Sequence, residues 1–229
     1  MKHQQAASNL IPKLKVCGLT KPDQIQELIA MKVNFLGFIF YEKSPRYVLS
    51  HLTLEHISKI DHIGKTGVFV NEKIDKVAEI AEKARLNFIQ LHGDEDSGFI
   101  KKLKVKLPEI PIIKAIRINS VILKDEESLL NFRHRFFTSF HSIQNDIDYI
   151  LFDTDSKAFG GTGQTFDWSI LEQLEFDKPY FLSGGISEEN IGNIEALHQK
   201  PFALDINSKF ETEPGNKDIS KIKRFISSL

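Results

Sequence analysis

A (β/α)8 TIM barrel of the α/β class, in a single domain, is the fold this sequence predicts, on three observations. Short β-rich runs alternate with longer amphipathic, charged stretches along the 229-residue chain. Eight such units are what a closed parallel barrel requires. The residue types able to do chemistry fall at the C-terminal ends of the runs, where barrels keep their sites. Before motifs are weighed, a doubly wound open sheet is the alternative.

The expected strands are LKVCG (14–18), FLGFIF (35–40), KTGVFV (65–70), FIQLHG (88–93), IPIIKAIRI (110–118), DYILFD (148–153), PYFLSG (179–184) and FALDIN (202–207). Each is rich in β-branched, aliphatic or aromatic residues and bounded by polar or turn-forming ones. Between them, PDQIQELIAMK (22–32) opens with proline, which suits the first helical position. EKIDKVAEIAEKA (72–84) places Ile74, Val77, Ala78, Ile80 and Ala81 at helical spacing. DISKIKRFISSL (218–229) has Asp218 as a candidate N-cap. The long connection 119–147 reads as helical through ILKDEESLLNFRHRFF and as a surface loop through TSFHSIQND. Residues 1–13 read as a flexible N-terminal extension without the apolar stretch of a signal peptide, and 14–229 as the barrel.

Composition narrows the function. A hydrophobic share of 41% suffices for a large core, in one barrel or two small domains. Thirty basic residues face 31 acidic ones with no polybasic block, which argues against nucleic acid or an anionic membrane as partner. A single cysteine excludes an internal disulfide and a cysteine-cluster metal site. No apolar run approaches the ~20 residues of a membrane helix, so a cytoplasmic protein is expected.

Strand parity puts Lys15 and Cys17 on one face of the first strand, toward the barrel axis, and Leu14 and Val16 toward the helices. Cys17 is either a small buried hydrophobe or a thiolate acting as base or nucleophile. TKPD (20–23) opens the next helix, whose dipole would lower the thiol pKa. Asp153 ends an apolar run, where a carboxylate is costly unless partnered or protonated. His92 and Gln90, in IQLHGDE, are candidate substrate contacts, and Asp205, Asn207 and Ser208 close the last strand. Two glycine segments, AFGGTGQT (158–165, with Gly161, Thr162 and Gly163) and LSGGI (with Gly184 and Gly185), follow the sixth and seventh strands. Such loops let backbone N–H groups approach a phosphate, and barrels bind phosphate after strands 7 and 8. Segment 154–165 also reads as a lid. Arg46 in SPRY offers a fork for a carboxylate, or else makes a surface ion pair. Lys114 is open to two readings, a Schiff-base lysine or the partner of an acid inside the barrel.

Together KVCGLTKPDQ, GFIFYEKSPRYV, TGVFVN, IQLHGDE, KAIRI, LFDT, FGGTGQTFDW, LSGGISEENI and LDINSKFETEPGNKD resemble the phosphoribosylanthranilate isomerases of tryptophan biosynthesis, over residues 14–229. The resemblance implies a barrel enzyme without metal or organic cofactor, acting on a small-molecule phosphosugar-anthranilate. The implied reaction is an Amadori rearrangement giving 1-(o-carboxyphenylamino)-1-deoxyribulose 5-phosphate. By the same resemblance Cys17 is the general base, Asp153 the general acid, Arg46 the anthranilate contact, and the glycine segments after strands 7 and 8 the phosphate grip. The last segment departs from the family. Where GVDVSSGVE is common, this chain has ALDINSKFE, with Ala203 and Lys209 at glycine positions and Asn207 for serine. Phosphate contacts from this loop are therefore less firmly implied than those of Gly184 and Gly185. A histidine-pathway isomerase with two aspartates, a Lys114 aldolase and a non-catalytic phosphosugar binder are the competing readings. Monomer and homodimer both stay open.

Overall fold

The structure is a computed structural model and describes residues 11–118, 126–154 and 166–229. Its eight barrel strands are β1 (Lys13–Val16), β2 (Phe35–Ile39), β3 (Lys65–Phe69), β4 (Phe88–Leu91), β5 (Ile112–Ile118), β6 (Tyr149–Thr154), β7 (Tyr180–Leu182) and β8 (Ala203–Ile206). They pair in parallel and in chain order, and β1 closes on β8. The barrel is thus the fold expected. Six of the observed strands stop one or two residues short of the expected ends, whereas β5 ends at Ile118 as expected and β6 runs one residue further, to Thr154; the ladder continues past the end of β1, since the Cys17 amide donates to the Ile206 carbonyl at 3.0 Å.

Helices α1 (Pro22–Ala30), α2 (Leu54–Ser58), α3 (Ile74–Lys83), α4 (Ser97–Lys106), α5 (Glu126–Ile143) and α6 (Ile219–Ser228) flank the barrel. Proline opens α1, and the Asp218 side chain caps α6 by accepting from the Lys221 amide at 2.9 Å. One expectation is corrected in α5: TSFHSI is helix, not surface loop. Phe132, Phe136, Phe140 and Ile143 recur at helical spacing and are buried, and that stripe outweighs the polar residues between them. Thr138 and Ser142 turn their hydroxyls back onto carbonyls of their own helix. After β6 and β7 the described connections are 3-10 turns, Trp168–Gln173 and Ile191–Ala196, rather than α-helices. A two-stranded ribbon, β9 (Glu211–Glu213) and β10 (Asn216–Lys217), follows β8. Among the described residues no helix is long and apolar enough to cross a membrane.

Alternation along the strands builds two cores. Leu14 and Val16 join the layer between sheet and helices, as their parity predicts. The inward positions begin with an aromatic ring: Phe35, Phe88, Tyr149 and Phe202, from β2, β4, β6 and the entry to β8. Neighbouring ring centroids around this circuit lie 5.1–6.1 Å apart. Four side chains from alternate strands form one layer of a barrel interior, and this layer closes the N-terminal end. Two and four residues further up, the same inward face carries Gln90 and His92 after Phe88, Leu151 and Asp153 after Tyr149, and Asp205 and Asn207 after the inward Ala203; β1 adds Lys15 and Cys17.

Candidate active site

The upper ends of that face, without Lys15 and Leu151, line a cavity at the C-terminal mouth. Cys17, Arg46, Gln90, His92, Asp153, Gly184, Gly185, Asp205, Asn207 and Ser208 all border it. Gly161, Thr162 and Gly163, with the rest of the proposed lid beyond Thr154, lie outside the described residues. Lys209, the departure from the family pattern, is exposed at the cavity rim.

On one side stands the sulfur. Cys17 is buried but borders the cavity, not the helix-facing core. Burial pushes its thiol pKa up, with Lys15 as the main opposing influence and Lys217 a lesser one. This corrects the expectation of a lowered thiol: loss of hydration outweighs the neighbouring cations. Beneath the sulfur, the Lys15 Nζ is 2.9 Å from Asp205 Oδ2, and both side chains are buried. Burial would lower the Lys15 ammonium, but Asp205 and the Cys17 sulfur override it and raise its pKa. Burial pushes the Asp205 carboxyl up against the pull of Lys15.

Across the cavity stands the carboxylate. Asp153 Oδ2 is 3.1 Å from His92 Nε2, and His92 Nδ1 is 2.9 Å from Gln90 Nε2. With the Gln90 amide donating to Nδ1, His92 carries its proton on Nε2 and donates it to Asp153. The Thr154 amide donates to the other carboxylate oxygen at 2.9 Å. Asp153 therefore faces two donors, each from a different strand end.

Gly184 and Gly185 both have positive φ, 84° and 71°. A Cβ on Gly184 would stand 2.3 Å from the Thr154 hydroxyl, so only glycine fits this turn over the end of β6.

Arg46 is not a surface pair. It is buried at the cavity wall, and its Nε and Nη2 donate to Glu211 at 2.7–3.1 Å. Lys114 is paired as well, at 2.8 Å from Glu95 Oε2 and 2.8 Å from the Gly93 carbonyl. It does so outside the barrel interior, since Ile113 and Ala115 on either side of it belong to the inner cluster. Burial lowers its pKa, but it does not border the cavity that holds Cys17. The lysine needed for an aldolase therefore lies outside the cavity.

Three residues at the site were absent from the sequence reading. Glu211 and Lys217 sit in the ribbon after β8, and the only signal they gave was a pair of charges flanking a Pro-Gly turn. Thr154 adds a buried hydroxyl beside Asp153. Its Oγ1, Gln90 Oε1 and Asp205 Oδ1 are buried without a hydrogen-bond partner among the described residues, and all three residues border the cavity.

A family model described as N-(5'-phosphoribosyl)anthranilate (PRA) isomerase matches residues 14–228. An N-(5'-phosphoribosyl)anthranilate isomerase of Parabacteroides distasonis is 37% identical over 219 residues, covering 94% of this chain and 92% of its own. The crystal structure of the Thermotoga maritima phosphoribosyl anthranilate isomerase aligns at TM-score 0.71 and 31% identity, over 96% of this chain and 100% of that one. A phosphoribosyl anthranilate isomerase in complex with reduced 1-(o-carboxyphenylamino)-1-deoxyribulose 5-phosphate aligns at TM-score 0.68 and 30% identity, with the same coverage. With residues 14–228 matched end to end around a cavity bordered by both Cys17 and Asp153, the chain belongs to the N-(5'-phosphoribosyl)anthranilate isomerase family.

Proposed function

We propose that this chain converts N-(5-phosphoribosyl)anthranilate to 1-(o-carboxyphenylamino)-1-deoxyribulose 5-phosphate, with Asp153 as general acid and Cys17 as general base. The observation that carries these roles is that the two groups border one cavity from different strands. An Amadori rearrangement needs that separation. Asp153 gives a proton to the ribose ring oxygen, the C1′–O bond breaks, and the anthranilate nitrogen supplies the electron pair that forms the Schiff base. The Cys17 thiolate then takes the proton from C2′, leaving an enolamine, which gains a proton at C1′ as its C2′ hydroxyl loses one and so becomes the ketone. No atom is lost or gained overall.

The surroundings support each step. After donating its proton, the Asp153 carboxylate is received by the His92 and Thr154 N–H groups. The charge of Lys15 favours the thiolate. Each positioned acid or base contributes ~10²–10⁴-fold. The unpartnered oxygens of Gln90, Thr154 and Asp205 suit the ribose hydroxyls, because buried polar atoms are otherwise paired. The Gly184–Gly185 turn, with Asn207 and Ser208 across the mouth, suits the phosphate, which keeps the opened sugar in place. Arg46 suits the anthranilate carboxylate.

The test is the loss of phosphoribosylanthranilate fluorescence on adding the purified protein. Catalysed loss with formation of the carboxyphenylamino ketose supports the proposal; no acceleration over the spontaneous rate refutes it.

A further inference from the structure

Arg46 presents a problem of charge. An arginine that meets a carboxylate has to bring a net positive charge, yet two of its nitrogens already bind Glu211. An isolated Arg–Glu pair is close to neutral and would offer an anion little. The structure supplies a second cation. Lys217 Nζ lies 2.6 Å from Glu211 Oε1 and 2.7 Å from Asn207 Oδ1, and its side chain is fully buried. Glu211 is almost as enclosed, at 3% exposure, and also accepts from the Gly215 amide. Arg46 and Lys217 together carry two positive charges against the one negative charge of Glu211. The surplus is delivered at the cavity wall, because Arg46 borders the cavity and Lys217 does not.

We propose that Glu211 and Lys217 are a positioning pair for substrate recognition: Glu211 clamps the Arg46 guanidinium, and Lys217 offsets the clamp's charge so that Arg46 still attracts a carboxylate. The clamp is held from both ends. Gln24 on α1 accepts from the Lys217 amide at 2.9 Å and donates to its carbonyl at 2.9 Å. Opposite, Gly18 has φ 77°, and a Cβ there would stand 2.7 Å from Arg46 Cδ. The guanidinium is thus fixed in one place, and a preorganised cation loses little entropy on binding. Burial opposes the charge on both partners, but Arg46 and Lys217 hold the Glu211 carboxyl below its usual value. Burial also lowers the Lys217 ammonium, with Glu211 opposing.

This inference rests on the reading that Arg46 meets the substrate's carboxylate, and its test is independent of turnover. Calorimetry on the full chain measures binding of reduced 1-(o-carboxyphenylamino)-1-deoxyribulose 5-phosphate and of its carboxamide counterpart. The wild type should prefer the carboxylate. Lys217→Met should weaken the carboxylate ligand by about tenfold or more and leave the carboxamide unchanged. In steady state its KM should rise. The double variant Glu211→Gln/Lys217→Met, which leaves Arg46 as the cluster's one charge, should regain the preference. Should Lys217→Met fail to fold, Glu211→Gln alone replaces it, and its carboxylate-to-carboxamide preference should exceed the wild type's. Equal weakening of both ligands, no weakening of either, or a double variant without preference overturns the proposal. A wild type indifferent to the carboxylate removes Arg46's role as well, while the acid–base assignment would still stand or fall on turnover.

Discussion

Replacing Gly37 with alanine reaches the Cys17 sulfur through a single added methyl group. Gly37 lies on β2, beside Cys17 at the top of β1. A Cβ there would stand 2.8 Å from Cys17 Sγ, 2.9 Å from its Cα and 3.1 Å from its Cβ. Carbon atoms sit comfortably at ~3.5–4.0 Å, so Cys17 has to retreat by somewhat under ~1 Å. Rotating the thiol gives no relief, because one of the clashing atoms is backbone. Overpacking of this kind costs ~1–3 kcal/mol of stability. A catalytic group misplaced by ~1 Å costs ~10²-fold in rate. Thermal unfolding gives the first quantity and the fluorescence assay on folded protein gives the second. Gly192→Ala is the control, since no described residue lies within 4 Å of its added Cβ, and it should match the wild type within ~0.5 kcal/mol. Folded Gly37→Ala with near wild-type turnover would refute the placement of Cys17 at the reacting carbon.

Lys114→Met tests the aldolase alternative. Loss of the partner of buried Glu95 should destabilise the protein by ~3–5 kcal/mol in urea titration, with turnover per folded molecule retained; borohydride with a phosphosugar should leave no adduct on Lys114. Because burial raises the Cys17 thiol and the base acts as thiolate, kcat/KM should climb with pH through a value above the ~8.5 of a free thiol. A profile flat from about pH 6 to about pH 9 would contradict this. The sign for stability is opposite. The folded state holds the Cys17 proton more tightly, so this contribution is complete below the unfolded thiol's pKa and is lost as pH rises to the folded one. Unfolding free energy followed across that window should fall.

The period-2 face of the strands was the legible part of this protein. Lys15 and Cys17, Gln90 and His92, and Asp205 and Asn207 each lie two residues apart, and the structure brings all of them inward. The same rule, applied to IIKAIRI, turns Lys114 outward once Ile113 and Ala115 are placed inside. What strand parity does not carry is contact between distant segments. Arg46 and Glu211 are 165 residues apart, and no local pattern in either loop names the other. The raised thiol of Cys17 depends on packing by many neighbours, whereas helix dipoles and nearby lysines are visible in the sequence and point the wrong way. The end of α5 was hidden because its apolar stripe, Phe136, Phe140 and Ile143, is interleaved with serines, a threonine and a histidine that read as loop.

Turnover of folded Cys17→Ala is the most direct trial of the mechanism, with folding checked by circular dichroism and the reaction followed by loss of phosphoribosylanthranilate fluorescence. The account expects a fall of ~10²–10⁴-fold with the barrel intact, and a rate within a few-fold of the wild type would contradict it.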